Sequence, residues 1–292
     1  MRRLRLSVNA WGLIFVAPAA VFFLVVHILP MLYALFLSFH DWNLLSPYKS
    51  FVFIENYYAL FGDPIFLRSL LNTFLYVLLT VPPGLALALF FAVLLNTGIR
   101  ASGLFRTVFF IPVVTSIIAS GYIWKWLYDP TFGPINQALA PLGLQLPFLR
   151  STAMALPSIA LMVIWKNLGF SVVVFLAGLQ GIPDFVYEAA RIDGAGPWRT
   201  FWRITLPLLN PTVVFLSVMA VMSALKIFGE VFVMTVDGGP LHSTASMVSQ
   251  IVTTSFQSHR MGYGAAMTMV LFALIIGITL FQMKVLTKKF RY

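Results

Sequence analysis

The chain has 292 residues, 60% of them hydrophobic and 10% charged, with 19 Lys/Arg against 9 Asp/Glu and no cysteine. A mean hydropathy of +0.92 excludes a soluble globular domain of this size, which has no way to keep so much apolar surface from water. Without cysteine there is no disulfide, thiolate nucleophile or Cys-based metal site.

A helix crosses a bilayer core with about 20 apolar residues, and lipid offers unpaired backbone groups no partners. Long apolar runs without period-2 alternation favour helices over barrel strands. The expected fold is an all-α integral membrane protein with six spans: Trp11–Phe39, Leu70–Leu95, Thr107–Tyr128, Ala155–Gln180, Leu208–Phe228 and Ala265–Val285. Arg2, Arg3 and Arg5 precede the first run as in a secretory signal, but the run is too long for one and reads as an uncleaved anchor. Pro18 and Pro30 are expected to bend the first span and Pro82-Pro83 the second. Outer segments His40–Ser69, Asp129–Met154 and Glu230–Gly264 are rich in aromatic residues, proline and glycine, which predicts folded caps.

With both termini cytoplasmic, twelve Lys/Arg fall inside: Arg2, Arg3, Arg5, Arg100, Arg106, Arg191, Arg199, Arg203, Lys284, Lys288, Lys289 and Arg291. Four fall outside: Lys49, Arg68, Arg150 and Arg260. That bias explains the net charge of +10 without nucleic acid or any other polyanion.

The inner loop between the fourth and fifth spans is the informative one. Pro183 and Asp184 suit a helix start. Phe185, Ala189 and Ile192 then share a face, with Glu188 beside them. Gly194 stops that helix, and Gly196-Pro197 opens a second that carries Trp198, Phe201, Trp202 and Thr205 and ends at Leu206-Pro207. An interfacial helix lying on headgroups is the plainer reading, and it leaves the small residues Ala189 and Ala190 unexplained.

Glu188, Ala189, Ala190, Asp193, Gly194, Ala195, Phe201, Ile204, Leu206 and Pro207 resemble, in register, the EAA loop of permease subunits in bacterial binding-protein-dependent ABC importers. The resemblance implies that the loop's first helix, the coupling helix, docks in a cleft of an ATPase subunit. It makes Glu188 the ionic contact, Ala189 and Ala190 a close-packing face and Gly194 a hinge, with Asp193 and Phe201 completing the coupling set. A second stretch, Phe228, Met234-Thr235, Gly238-Gly239-Pro240 and Ser243-Thr244, is similar to a segment of sugar permeases, with one residue more before Gly238 and Phe232 in place of tyrosine. Asn56-Tyr57, Phe61, Asp63-Pro64 and Asn72-Thr73 resemble the maltose and glycerol-phosphate type. The likeness implies residues 1–69 as a cytoplasmic tail, first span and outer loop, 70–285 as the permease core and 286–292 as a cytoplasmic tail.

Ionisable residues inside spans are functional candidates by default. Lys125 lies near a span end between Trp124 and Trp126, so it is read as snorkelling. Lys166 lies mid-span and is expected to face protein or a water-filled cavity, where it would suit a phosphorylated cargo. Lys226 is four residues before Glu230, which allows a local ion pair. A sugar needs amide or hydroxyl partners and aromatic platforms. Trp165, Asn167, Gly169, Phe170 and Ser171 on the fourth span, with Ser223 and Lys226 on the fifth, supply them and form the expected pathway. The alternative for Asn167 and Ser171 is that they tie helices together.

His27, His40, His242 and His259 lack metal-site spacing, and the methionines read as packing. No P-loop is present: the one Lys followed by Ser or Thr, Lys49-Ser50, follows Tyr48 rather than glycine. The spans hold essentially no carboxylates, so neither intramembrane catalysis nor ion-coupled transport has its residues. The reading is therefore a non-enzymatic, multi-pass subunit of a bacterial cytoplasmic-membrane importer that moves a sugar, with glycerol 3-phosphate, peptide or amino acid as alternative cargo. No cofactor is expected in this chain. The resemblance implies a second, dissimilar permease subunit, an ATPase dimer that binds ATP and Mg, and an extracytoplasmic solute-binding protein.

Overall fold

The computed structural model describes residues 8–97 and 102–286; Arg2, Arg3, Arg5, Arg100, Lys288, Lys289 and Arg291 of the charge-bias reading lie outside them. The described residues are helical almost throughout, with one two-stranded ribbon. Four helices are long and apolar enough to cross a membrane, or up to six if each of two bent pairs is one span. Large apolar side chains such as Leu13, Phe15 and Phe22 stand exposed, and none of the apolar window of Gly12–Ser38 is buried. Such surface is stable in contact with hydrocarbon and not in water.

Two compact units divide the chain: Met1–Gly62 with Ile251–Leu271, and Asp63–Gln250 with Phe272–Tyr292. In the first, α1 (Val8–Phe23) runs through a π-helical stretch, Leu24–Ile28, into α2 (Leu29–Ser38). Pro30 has no N–H for the carbonyl four residues back, and the widened turn just before it absorbs the conflict. The outer segment is folded: β1 (His40–Asp41) pairs antiparallel with β2 (Ser50–Phe51), followed by α3 (Glu55–Gly62). Asn56 Nδ2 donates to the carbonyls of Ser38 (2.9 Å) and His40 (3.1 Å), and Tyr57 OH donates to Ser38 Oγ (2.8 Å). The Lys49 ammonium lies 4.4 Å from the Trp42 ring centre and donates to Tyr33 OH.

The second unit is built on α4 (Pro64–Leu95) and α8 (Ala155–Gln180), which pack along their lengths. Asp63 caps α4 through Oδ1, which accepts from the N–H groups of Ile65 (2.8 Å) and Phe66 (3.2 Å), with Pro64 in the first turn. The helix therefore starts six residues before the expected Leu70, and it stays one helix through Pro82 and Pro83. The fourth expected span coincides with α8. The third is broken: α5 (Ser102–Val114) and α6 (Ile117–Leu127) meet at 100° across an extended Ser116. The expected fifth span, Leu208–Phe228, corresponds to α12 (Asn210–Leu225), which the short helices over Pro197–Leu208 before it meet at 65°. Two short helices, α7 (Pro134–Leu139) and α14 (Met247–Val252), lie in expected outer segments, and the expected sixth span corresponds to α15 (Met261–Leu286), which begins four residues earlier.

Apolar clusters hold this unit together, among them one of Val81, Val221, Ala224 and Leu225 and two larger ones. One joins Ala88 and Ala92 of α4, Phe175 and Leu179 of α8, Ile182, Leu209 and Leu216. The other joins Tyr76, Tyr128, Ile159, Met162, Val231 and Met234. Small residues on α8 allow close approach: a side chain at Gly169 would strike the Phe109 carbonyl, so α5 lies directly against α8.

Candidate coupling loop and transport cavity

After α8, Pro183 takes an extended ψ of 139° and starts α9 (Asp184–Ile192), as its sequence leads one to expect. Phe185, Glu188, Ala189 and Ile192 are exposed along one side, and Ile192 is 87% exposed. The two alanines part: Ala189 stands on that open face, whereas Ala190 is buried in the chain itself at 4%. The helix ends in a Schellman turn. Ala195 N–H donates to the Ala190 carbonyl (2.9 Å) and Gly194 N–H to that of Arg191 (3.1 Å), with Gly194 at φ +72°. Asp193 is exposed at the cap.

The return arm does not stop at Leu206-Pro207. It runs as α10 (Pro197–Thr200), a π-helical turn at Phe201–Thr205 and α11 (Leu206–Leu208), then bends into α12. The wide turn lets Leu206 N–H reach the Phe201 carbonyl just before Pro207, which has no N–H to give. Half-buried Phe201 packs edge-on against Trp202, and Thr205 Oγ1 lies 3.4 Å from Tyr187 OH, tying the arm back to α9. Ile182 at the foot of α9 is buried with Leu179 of α8 and Leu209 at the head of α12.

A cavity of about 200 Å³ opens between α4, α8, α12 and α13 (Gly229–Met234). Its polar lining is Thr80, Asn167, Ser171, Ser223 and Glu230, with Phe170 as an aromatic wall. Four of the seven expected pathway residues thus meet: Asn167, Phe170, Ser171 and Ser223. Asn167 donates one amide hydrogen to the Val163 carbonyl (3.0 Å), which fixes its rotamer. The other three lie elsewhere. Trp165 packs against Trp124 at 5.6 Å, Gly169 faces the Phe109 carbonyl, and Lys226 is exposed at the end of α12.

The mid-span lysine faces protein. Lys166 Nζ donates to the carbonyls of Thr115 (2.6 Å) and Pro112 (3.1 Å), which the end of α5 leaves without helical partners. The cation sits at the negative end of that helix, which offsets its burial. It does not line the cavity. Nor does Lys226 pair with Glu230 as spacing suggested, because α12 ends at Leu225 and the chain leaves helical geometry at Lys226 and Phe228. Glu230 is 8% exposed, stands in the first turn of α13 and feels the charge of Lys166. Sequence reasoning left Glu230 in an outer segment, since a break of three residues after an apolar helix carries no marker that it folds back inward.

The Gly238-Gly239-Pro240 stretch is knitted to α4. Asn72 Nδ2 donates to the carbonyls of His242 (2.9 Å) and Ala245 (3.0 Å), Thr73 Oγ1 accepts from Met247 N–H, and Tyr76 OH donates to the Thr244 carbonyl. Thr235 and Thr244 hydroxyls meet at 2.9 Å. Before Pro240 the chain makes a turn in which Gly239 N–H donates to the Val236 carbonyl and Asp237, Gly238 and Gly239 all have positive φ. Asn72-Thr73 and Ser243-Thr244, far apart in the chain, are thus halves of one joint.

A second cavity, of about 450 Å³, is lined by Lys125, Asp129, Arg150 and Thr235. Asp129 is already engaged: the N–H groups of Phe132 and Thr131 hold its carboxyl below the usual carboxylate range, and Arg150 adds to this. No group of three or more His, Asp or Glu among the described residues is placed to hold a metal ion.

Residues 58–292 match the family described as the binding-protein-dependent transport system inner membrane component. The sulfoquinovosyl glycerol transport system permease protein of Agrobacterium fabrum is 34% identical over 290 residues, covering 99% of this chain and 94% of that protein. The diacetylchitobiose uptake system permease protein of Streptomyces coelicolor is 35% identical over 272 residues, covering 89% and 77%. A chain from a bacterial alginate ABC transporter, crystallised in complex with an alginate pentasaccharide-bound periplasmic protein, superposes with a TM-score of 0.82 at 24% identity, covering 95% of each chain, and that likeness speaks to the fold alone. This chain belongs to the inner membrane components of binding-protein-dependent transport systems.

Proposed function

We propose that the chain is one permease subunit of an ATP-driven importer that carries a sugar across the bacterial cytoplasmic membrane. It crosses six times, each bent helix pair counting as one span, with both termini in the cytoplasm and α9 as the cytoplasmic coupling helix. A second, dissimilar permease completes the pathway, an ATPase dimer binds ATP and Mg, and a solute-binding protein delivers the cargo from outside. The observation that carries this reading is α9 itself: a short helix with an open face of Phe185, Glu188, Ala189 and Ile192, on a tight turn and rooted in the core.

The root supplies the mechanics. Ile182 and Leu209 share one apolar cluster with α8 residues, and α8 and α12 both line the cavity. A push on α9 therefore shifts the ends of both cavity-lining helices together, because a packed core passes displacement on rather than absorbing it. ATP binding to the partner biases a two-state equilibrium between outward- and inward-open forms through this lever. In this chain the pathway runs past Asn167, Phe170, Ser171 and Ser223, and the coupling contact is made by Glu188, Ala189 and the exposed Ile192.

Because the chain has no native cysteine, Ile192→Cys gives a single cross-linking site. It is expected to cross-link to the ATPase subunit in the assembled importer, and Glu188→Lys is expected to abolish sugar-stimulated ATP hydrolysis while leaving membrane insertion intact. Labelling of Ile192→Cys from outside the cell, or wild-type uptake by Glu188→Lys, would overturn the reading.

A further inference from the structure

The cavity lining carries one ionisable group among the described residues, and it is an acid. Glu230 is 8% exposed and lines the cavity together with Thr80, Asn167, Ser171 and Ser223. Neither Lys226, expected in the pathway, nor mid-span Lys166 is in the cavity lining. Lys166 donates to Thr115 and Pro112 carbonyls on the side of α5, and Lys226 is exposed beyond the end of α12. In neither protonation state does a carboxyl neutralise a phosphate, sulfonate or uronate. As an anion it repels one, and the charge of Lys166, which is held on the α5 carbonyls and is not in the cavity lining, softens this without contacting the cargo; as an acid it offers a single donor. Toward a neutral sugar the same group is well suited, since a carboxylate accepts from two hydroxyls at once. From this geometry we infer that Glu230 contacts the cargo and sets its class: a neutral, hydroxyl-rich sugar, with anionic sugars and glycerol 3-phosphate excluded. The inference rests on the cavity being the transport pathway.

Relatives differ on this very point, since one is named for a sulfonated glycoside and another for diacetylchitobiose. The cavity chemistry puts this chain with the second kind.

The test uses Ser223→Cys, the sole cysteine of this chain, in the assembled importer without its solute-binding protein, so that selection by that protein does not enter. The readout is the rate of maleimide labelling of this chain, followed by mass spectrometry. Diacetylchitobiose, at roughly ten times its dissociation constant, is expected to slow labelling about tenfold by mass action, whereas glycerol 3-phosphate and sulfoquinovosyl glycerol have no effect. Adding Glu230→Gln is expected to weaken protection by the neutral sugar and to let the anions begin to protect. Protection by an anion equal to or better than that by the neutral sugar overturns the inference, and this holds even if Glu230→Gln fails to assemble. An unchanged preference in an assembled Glu230→Gln complex also overturns it. Protection by no sugar at all removes the cavity as a pathway, and the proposed function's route with it.

Discussion

Gly194 allows the most quantitative test of the coupling loop. Its φ of +72° closes α9, and a Cβ added there meets nothing within 4 Å, so substitution brings backbone strain without a clash. For L-residues the left-handed conformation costs about 1–2 kcal/mol, or about five- to twenty-five-fold in the population of the closed turn. Asparagine tolerates the region best and β-branched valine worst, so stability should fall in the order Gly, Asn, Ala, Val. The N–H groups at positions 194 and 195 report it directly, because they donate to the Arg191 and Ala190 carbonyls. In the assembled importer, hydrogen–deuterium exchange of the Ala195 amide should speed up by about five- to twenty-five-fold in Gly194→Ala, more in Gly194→Val, and less in Gly194→Asn. Coupled ATPase activity should fall in the same order. Exchange in Gly194→Val matching the unsubstituted chain would refute the Schellman turn as the closure of α9.

Two further substitutions separate structural from transport roles. Lys166→Met keeps the length of the side chain but takes the donor from the Thr115 carbonyl and leaves the Pro112 carbonyl with only the Thr115 hydroxyl; at about 1.5–3 kcal/mol for a charged hydrogen bond, the thermal midpoint in detergent should drop clearly, and an unchanged midpoint would show that the α5 end needs no cation. Gly169→Ala drives a methyl into the Phe109 carbonyl and should cost about 1–3 kcal/mol of stability as overpacking; a stable Gly169→Ala importer with only its sugar KM altered would return Gly169 to the pathway.

How much of this was written in the sequence depends on the kind of signal. α8 was legible to the residue because an unbroken apolar run has one reading in lipid, and the end of α9 was legible because Gly194 falls where a left-handed residue is required. The start of α4 was missed: Asp63-Pro64 is a plain cap and first turn, but the polar Arg68 and Ser69 that follow look like loop to a hydropathy reading. The partition of Ala189 from Ala190 was not legible either. Which of two adjacent small residues faces inward is decided by the angle at which α9 leaves α8, and no spacing within α9 encodes that angle.

The cavity was half legible for a related reason. Asn167, Ser171 and Ser223 stand out as polar residues on apolar helices, whereas Lys166 and Glu230 acquire their roles only from breaks that a continuous-span reading does not contain. Each buried charge sits where a helix has stopped. The lysine rests on carbonyls freed by the end of α5, and the glutamate stands in the first turn of α13. Backbone dipoles exposed at the two breaks thus replace water for a cation and an anion that hydrocarbon would not hold. On the proposed pathway the same breaks set which charge of this chain the cargo meets, because they engage the lysine with the protein and leave the carboxylate at the cavity wall.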